Sequence, residues 1–443
     1  MGFFQRLFSK KGTPYTRTPV RFGRFHEGLK TEERFESWDV ALDRFTKDDF
    51  LGSLEALFHY LNDPENPTIQ YVRSRNKIEF TIEQGSSVIV GWSNPLEFQA
   101  TSDIFQLKEK HAGLMRTLLE SNYSLDYCKY VLKEKTISLK FNSKALDGAP
   151  SKIYSGLREL ALLADKQDDL ILNKFSDYVE KEDFKITPLP AEELTLKANF
   201  LRDQLDELKA NYQACALDPE EFQGAYSYLI LNTCYRLDYL LKPEGELMDL
   251  FENIHQGYFD SSKGITPAKN KMNFITLLEK GTKVMKDLEE ECYEVNYTFG
   301  YTTPVTIERV QDFVLEEVDK MDWYIREGHR EIGLAIPGYI VGYSLFHYAL
   351  PRPLPELFAL YYEITEYDFF KGLGFSPILV KNGGLEKAII IQKVKKIFKK
   401  DSKNAKNGPI LSEIDQKLRF DSVYHFSKSF LQLIGEHKFG SWA

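Results

Sequence analysis

A strict two-residue alternation across residues 77–92 is the feature that most constrains the fold. Apolar side chains occupy every second position on both sides of a short glycine-containing turn at 84–86, namely Ile78, Phe80, Ile82, Val88, Val90 and Trp92. Successive side chains of a strand point to opposite faces of a sheet, so this pattern predicts two half-buried strands. The turn joins them into a β-hairpin with one apolar face.

Further strands and helices surround this hairpin. Branched and aromatic residues predict strands at 69–73, 125–132 and 137–141. Apolar residues at helical spacing predict helices at 51–61, 104–119 and 153–175. The resulting order is helix, three strands, helix, two or three strands, helix. It predicts an α+β domain over 38–180, in which one face of the sheet packs on helices, preceded by a tail at 1–37.

The chain that follows is predicted to be helical. A polar stretch with two prolines at 181–191 has the composition of a linker. Beyond it, prolines stand at or just before the start of several segments, where a helix tolerates a missing N–H group. Helices are predicted at 194–212, 222–240, 246–259, 268–298, 305–330, 354–371, 384–400 and 410–435. The sequence therefore predicts an all-helical bundle or array over 192–443.

One segment of this region, 332–350, carries no charged residue. A membrane span of this length is one interpretation. However, Pro337, Gly338, Gly342 and His347 interrupt the segment, and its flanks show no clear charge bias. The interpretation we favour is a fully buried helix around which the other helices pack.

The α+β block resembles a known family. Residues 137–141, followed by the helical phrase Leu-Arg-Glu-Leu-Ala-Leu-Leu-Ala-Asp at 157–165, together with the order of elements, resemble the YbjN family and the class I type III secretion chaperones that share its fold. The resemblance covers at most residues 38–179, about a third of the chain. It implies a protein-binding or regulatory module, often dimeric, with no catalytic residues to transfer.

Composition excludes several classes of function. Hydrophobic residues make up 43% and charged residues 28% of the 443 residues, which excludes a largely disordered chain. The net charge of −9 argues against a nucleic-acid-binding protein. The four cysteines are scattered, unlike a disulfide framework or a paired-cysteine zinc site. We therefore expect a cytoplasmic protein without a metal or cofactor.

Catalytic residues are sparse in this sequence. Glu252 and His255 have the spacing found in carboxylate-bundle metal sites, but the second copy that such a site requires is missing. His329 and His347 flank the uncharged segment, where burial could shift the pKa of a histidine into the catalytic range. An enzyme with a pocket near these two histidines is therefore the alternative to a non-catalytic protein that binds a protein partner.

Two basic segments remain as candidate contact surfaces. The predicted helix at 384–400 carries a lysine-rich face, in which Lys395, Lys396, Lys399 and Lys400 are candidate partner-binding residues. The alternative interpretation is that the same residues form a solvated helix face that binds no partner. At the amino terminus, residues 1–11 place phenylalanines beside basic residues and could contact an anionic membrane, although the segment is short. A membrane-surface adaptor is thus a further alternative, and the chaperone resemblance adds an expected homodimer.

Overall fold

The structure of the protein is a computed structural model. The structure describes residues 20–27, 30–64, 66–175, 177–181, 186–259, 264–375, 379–381, 383–400 and 408–439. The predicted fold class is confirmed, because a mainly antiparallel sheet with helices precedes a long helical region. Among the described residues, no helix has both the length and the apolar character needed to cross a membrane.

The α+β region begins with two helices instead of one. Its elements are α1 (Glu32–Thr46), α2 (Phe50–Leu61), β1 (Ile69–Arg73), β2 (Ile78–Gln84), β3 (Ser87–Ser93), β4 (Glu97–Leu107), α3 (Ala112–Tyr123), β5 (Cys128–Lys133), β6 (Thr136–Lys144), α4 (Pro150–Phe175) and β7 (Val179–Lys181). The predicted hairpin is β2 and β3, and its turn places Gly85 at a φ of 54°. Glycine adopts such a positive φ without steric cost.

The seven strands form one sheet in the order β1-β2-β3-β4-β6-β5, with β7 paired to β4. All of these pairings are antiparallel. Helix α4 packs along the strands, and Phe58 of α2 lies 4.9 Å from Phe80 of β2 between ring centroids. Ile78, Phe80 and Ile82 of β2 therefore face the helices. The prediction of one apolar face is wrong for β3, because Ile89 shares this face whereas Val88, Val90 and Trp92 lie on the opposite one.

Strand β4 corrects the prediction of a helix at 104–119. Ile104 lies in β4, and helix α3 begins only at Ala112, where the ring of His111 accepts the Leu114 N–H at 3.3 Å. The register of β4 with β6 shifts between Asp103 and Phe105. This bulge leaves both Ile104 and Phe105 fully buried. Two adjacent buried residues break the two-residue alternation, so the strand lacks its usual pattern.

The helical region contains thirteen described helices of at least four residues in addition to small two-stranded ladders. The helices are α5 (Ala191–Ala214), α6 (Gln223–Leu241), α7 (Glu246–Phe259), α8 (Pro267–Val284), α9 (Leu288–Glu291), α10 (Ile307–Val318), α11 (Met321–Arg326), α12 (Arg330–His347), α13 (Leu354–Thr365), α14 (Tyr367–Gly372), α15 (Lys387–Lys400), α16 (Gly408–Lys417) and α17 (Val423–Glu436).

Helix α12 confirms the prediction of a buried central helix. Most of its residues are buried, and it packs most extensively on α6. Gly338 and Gly342 allow this close approach, because a Cβ at either position would collide with Asn232 or Tyr235 of α6. The uncharged segment therefore serves as the centre of the helical core.

The hydrophobic residues form one cluster in each region, except that Phe299 of the loop after α9 belongs to the cluster of the sheet. Polar contacts also join the two regions. The segment at 20–27, which lies within the predicted tail, packs against the helical region, where the Gly23 N–H donates to the Tyr239 carbonyl at 2.8 Å. The loop after α9 also reaches the sheet, because Gly85 and Asn296 form an isolated β-bridge. These contacts fix the sheet against the helices.

Candidate partner-binding surface

The first edge of the sheet is β1, and its hydrogen-bond register determines which of its groups remain unpaired. The Glu83 N–H donates to the Thr68 carbonyl, and the Ser74 N–H donates to the Lys77 carbonyl. In an antiparallel ladder, alternate residues direct their backbone groups to the neighbouring strand. The backbone groups of Ile69, Tyr71 and Arg73 must therefore point away from β2.

Only one of these three outward residues is satisfied. The Asn62 side chain accepts the Ile69 N–H at 3.1 Å and donates to the Ile69 carbonyl at 3.2 Å. Among the residues that the structure describes, none pairs with the backbone N–H or carbonyl of Tyr71 and Arg73. Such a row of unpaired groups is a template for the addition of another strand.

Side chains around this edge hold it in place. The Tyr71 ring lies 5.5 Å from Phe58, and its hydroxyl lies 3.3 Å from Nε2 of His59. Burial, followed by the neighbouring Glu55 carboxylate, raises the pKa of Tyr71. The Arg73 guanidinium forms an ion pair with the same carboxylate. Helix α2 thus anchors the side chains of β1 while its outward backbone stays open.

The open face of the sheet continues from this edge. Val72 of β1 is 46% exposed and Val90 of β3 is 36% exposed, and none of the described helices covers them. The register places Val72 opposite Glu79, and Glu79 opposite Trp92. The Lys77 ammonium lies 5.5 Å from the Trp92 ring centroid. On the open face, Val72 and Trp92 therefore flank Glu79, whose carboxylate forms an ion pair with Lys77 at 2.9 Å.

The opposite edge, β5, is mostly closed by side chains. Asn122 accepts the Tyr130 N–H at 2.6 Å and donates to the Tyr130 carbonyl at 3.5 Å. The Glu159 carboxylate accepts the N–H groups of Asp126, Tyr127 and Cys128 at 2.7 to 2.8 Å. Both side chains occupy the place of a neighbouring strand.

The four candidate lysines do not form a uniform surface. Lys395 is paired with Asp415 of α16, whereas Lys396, Lys399 and Lys400 are exposed. The other side of α15, including Val394 and Phe398, is buried. The predicted amphipathic helix is confirmed, and whether its lysines bind a partner stays a prediction. The predicted membrane-contact segment at 1–11 lies outside the described residues.

The structure does not bring His329 and His347 together. They lie at opposite ends of α12, a helix of 18 residues, which places them roughly 27 Å apart. His329 stacks on Trp323, and the structure shows no hydrogen bond between either histidine and a carboxylate of the described residues. His347 lies 5.3 Å from the His255 ring and 5.3 Å from the Tyr343 ring, and burial lowers its pKa.

Glu252 and His255 also have other partners. Arg24 and Lys166 form ion pairs with the Glu252 carboxylate, and Nδ1 of His255 lies 2.8 Å from the Tyr235 hydroxyl. Burial, followed by the nearby His347 and Arg24, lowers the pKa of His255 to about 3. Within the described ranges, no group of three or more His, Cys, Asp or Glu residues has a geometry that could hold a metal ion.

Sequence reasoning missed a buried charge cluster centred on Arg24. Its guanidinium donates to Asp238 at 2.6 Å and to Glu252 at 2.7 Å, and it lies 3.9 Å above the Phe346 ring. Burial opposes this charge, but the two carboxylates outweigh burial and raise the pKa of Arg24. One signal was available, because Asp238 lies among the apolar residues 237–241 at the end of α6 and a buried carboxylate needs a partner.

Comparison with other proteins adds no assignment to this geometry. No protein family, functionally characterised protein or solved structure matches the chain.

Proposed function

We propose that this protein is a non-catalytic adaptor that binds an extended segment of a partner protein along β1. The observation that carries the proposal is the pair of outward residues, Tyr71 and Arg73, whose backbone groups have no partner in the described part of the chain. Strand addition needs only such backbone groups and neighbouring pockets. The proposal keeps the kind of function that the resemblance to the YbjN family and secretion chaperones implies.

The surroundings of β1 suit a partner strand. Side chains of an added strand alternate between the two sheet faces. One set would lie next to Gln70 and Val72 on the open face, while the other would lie near Tyr71 and His59 on the helical side. A partner segment with apolar residues at every second position therefore fits this edge best.

The lysines of α15 are a proposed second contact. An acidic partner segment would meet the exposed Lys396, Lys399 and Lys400, while Lys395 stays paired with Asp415. Reversal of all four lysines to glutamate should then weaken binding of an acidic partner or of anionic vesicles, and wild-type binding should weaken as salt rises. Unchanged binding in the reversed variant would support the interpretation of a solvated surface.

A second copy of the chain is the alternative occupant of the open edge, in line with the homodimer that we expected. Light scattering at micromolar concentrations distinguishes these occupants, because the chain has a mass of 51.4 kDa. A mass of one chain leaves the edge available for another protein. A mass of two chains that falls to one in an edge-blocked variant assigns the edge to self-association instead.

The edge itself is tested with proline. Arg73→Pro removes an outward N–H without touching the ladder to β2, and proline is tolerated on edge strands. Arg73→Ala is the matched control, since it also loses the ion pair with Glu55 but keeps the N–H. Leu132→Pro places proline at an outward position of the opposite edge.

The probe is a set of peptides selected from a random displayed library on the wild-type protein. We expect Arg73→Pro to weaken their binding about tenfold or more, whereas Arg73→Ala and Leu132→Pro should leave it within about twofold. Bound peptide should also slow amide exchange at Tyr71 and Arg73. Selected peptides that bind all three variants equally and leave these amides unprotected would refute strand addition at β1.

A further inference from the structure

The helical region contains a cavity that neither the proposed edge nor the two histidines use. Its volume is about 330 Å³, at the lower end of the range of roughly 300–1,000 Å³ that small-molecule sites span. Three helices line it. The lining residues are Glu207, Leu208 and Asn211 of α5, Leu229, Asn232, Thr233 and Arg236 of α6, and Arg330, Glu331, Leu334 and Ala335 of α12.

The inner wall of this cavity is unusually polar for the interior of a helical bundle. Asn232 is only 5% exposed, and its Oδ1 atom lies against Gly338 of α12. The Arg236 side chain is 14% exposed, and none of the described residues accepts a hydrogen bond from its Nε atom. Buried polar atoms are normally hydrogen-bonded, so this Nε–H donor is available to a ligand.

Arg236 is held in position from behind. Its Nη1 atom lies 3.1 Å from the Glu366 carboxylate, which is not part of the cavity lining, and 3.7 Å from the carboxylate of Glu207. Burial disfavours its charge, but Glu366 and then Glu207 outweigh this effect and raise the pKa of Arg236. Glu207 is exposed and the longer distance makes its contact weak. A ligand could therefore displace Glu207 without disturbing the pair with Glu366.

The charges of the lining select the class of ligand. The lining carries two guanidinium groups, those of Arg236 and Arg330, and two carboxylates, those of Glu207 and Glu331. Because Arg236 already has Glu366 as a counter-charge, an anion alone would give no partner to the two lining carboxylates, and a cation alone would give none to Arg330. A zwitterion satisfies both halves, since arginine binds carboxylates well and a glutamate carboxylate accepts from an ammonium group.

We propose that this cavity binds a small zwitterion of the α-amino acid class with an apolar side chain. Its carboxylate binds Arg236 and Arg330, and its ammonium group binds Glu207 and Glu331. Its side chain lies against Leu208, Leu229 and Leu334. The site is independent of strand addition at β1, because it lies in the helical region.

The probes are the individual L-α-amino acids, with L-leucine and L-phenylalanine as the best expected ligands. Leucinamide lacks the carboxylate, 4-methylpentanoate lacks the ammonium group, and myo-inositol is a neutral polyol. Calorimetric titration of the full chain should give binding of at least one amino acid at or below about 1 mM. Each analogue that lacks one charge should bind about tenfold or more weakly, because a charged group of the lining loses its partner.

Variants on the exposed rim avoid the risk of unfolding. Glu207→Gln and Arg330→Gln should each weaken binding about tenfold, whereas the matched neighbours Asp206→Asn and Arg326→Gln should leave it unchanged. Ala335→Leu, which fills the cavity, should abolish binding and leave the melting temperature intact or higher. The absence of binding by every amino acid at about 10 mM would overturn the proposal and leave a water-filled cleft. Equal binding of myo-inositol, or binding that survives Ala335→Leu, would overturn it as well.

Discussion

The two edges of the sheet, β1 and β5, use the same protective device to different extents. At each edge an asparagine, Asn62 or Asn122, accepts and donates as the backbone of a neighbouring strand would. At β5 the Glu159 carboxylate extends this protection over three more N–H groups. At β1 nothing in the described chain continues it beyond Ile69. Individual side chains therefore protect the two edges of the sheet. Because they pair with fewer backbone groups at β1 than at β5, β1 is the more open edge.

The largest expected effect comes from the hydrophobic core of the sheet, to which both edge strands belong. Phe80 is 1% exposed and packs against Phe58 and Phe98. Phe80→Ala should lower the free energy of unfolding by about 3–5 kcal/mol, because it removes buried apolar contacts and leaves a cavity. Urea unfolding measures this loss. Val90→Ala on the open face is the control and should cost less than about 1 kcal/mol. A small loss in the Phe80 variant would mean that the sheet face is not packed as described.

Removal of the Glu159 carboxylate should turn the closed edge into a partly open one. Glu159→Ala leaves the N–H groups of Asp126, Tyr127 and Cys128 without their acceptor, which should destabilise the protein by about 2–3 kcal/mol. Glu159→Gln keeps one acceptor oxygen and should lose less. Urea unfolding compares the three proteins. Equal stability of the alanine variant and the wild type would show that the carboxylate does not protect β5.

Acid should lower the stability of the helical region. It should not change the difference in backbone pairing between the two sheet edges. The folded-state pKa of His255 is lowered to about 3, below its ordinary value of 6.5. A neutral buried histidine stabilises the fold fully above pH 6.5, and this stabilisation is lost as the pH falls from 6.5 towards 3. At pH 5.5 the loss from His255 should reach about 1.4 kcal/mol.

His255→Gln removes this titration and should flatten the dependence of unfolding free energy on pH between 7.5 and 5.5. His26, whose pKa burial and the nearby Arg24 lower to about 4, adds a loss of the same sign in both proteins. Urea unfolding at the two pH values measures the difference. Parallel profiles for the variant and the wild type would contradict the burial of a neutral His255.

Asn122→Ala should cause the smallest change in stability. It is also the most direct way to give β5 the unpaired backbone groups that β1 has. It frees the backbone groups of Tyr130 and should cost about 1 kcal/mol. The variant should also begin to self-associate through β5, which light scattering detects. Asn142→Ala, an exposed asparagine of β6, is the matched control and should remain unchanged. A variant that stays monomeric and fully stable would show that Asn122 is not needed to close this edge.

The sequence predicts some of these features and not others for identifiable reasons. The alternation around Phe80 in β2 is a local pattern and predicts this strand and its buried face. The same pattern put Val90 of β3 on the wrong face, because the buried residue there is its neighbour Ile89. Strand β4 could not be found in the same way, because its bulge buries Ile104 and Phe105 in succession. The central helix α12 was recognisable from its lack of charge.

The candidate sites depend on contacts that no local pattern records. Asn62 protects Ile69 across a turn, and Asn122 reaches Tyr130 only because α3 packs beside β5. Arg236 becomes part of a cavity only when α5 and α12 are placed beside α6. Residue type alone does not distinguish these side chains from ordinary polar residues of the surface. The sites could therefore be found only once the fold was known. The lysines of α15 were recognisable as a basic face, but the pairing of Lys395 with Asp415 was not.

The buried ion pairs of Arg24 have a consequence for the order in which the chain matures. Arg24 and its partner Asp238 are 214 residues apart in sequence. A chain made from its amino terminus therefore exposes Arg24 long before the acidic side chains that neutralise it exist. The sheet, whose strands lie between these two positions, can acquire its antiparallel pairing in that interval. Closure of the helical region onto the segment at 20–27 must come later, so the sheet and the helical region are joined in a late step by residues that were synthesised before either of them.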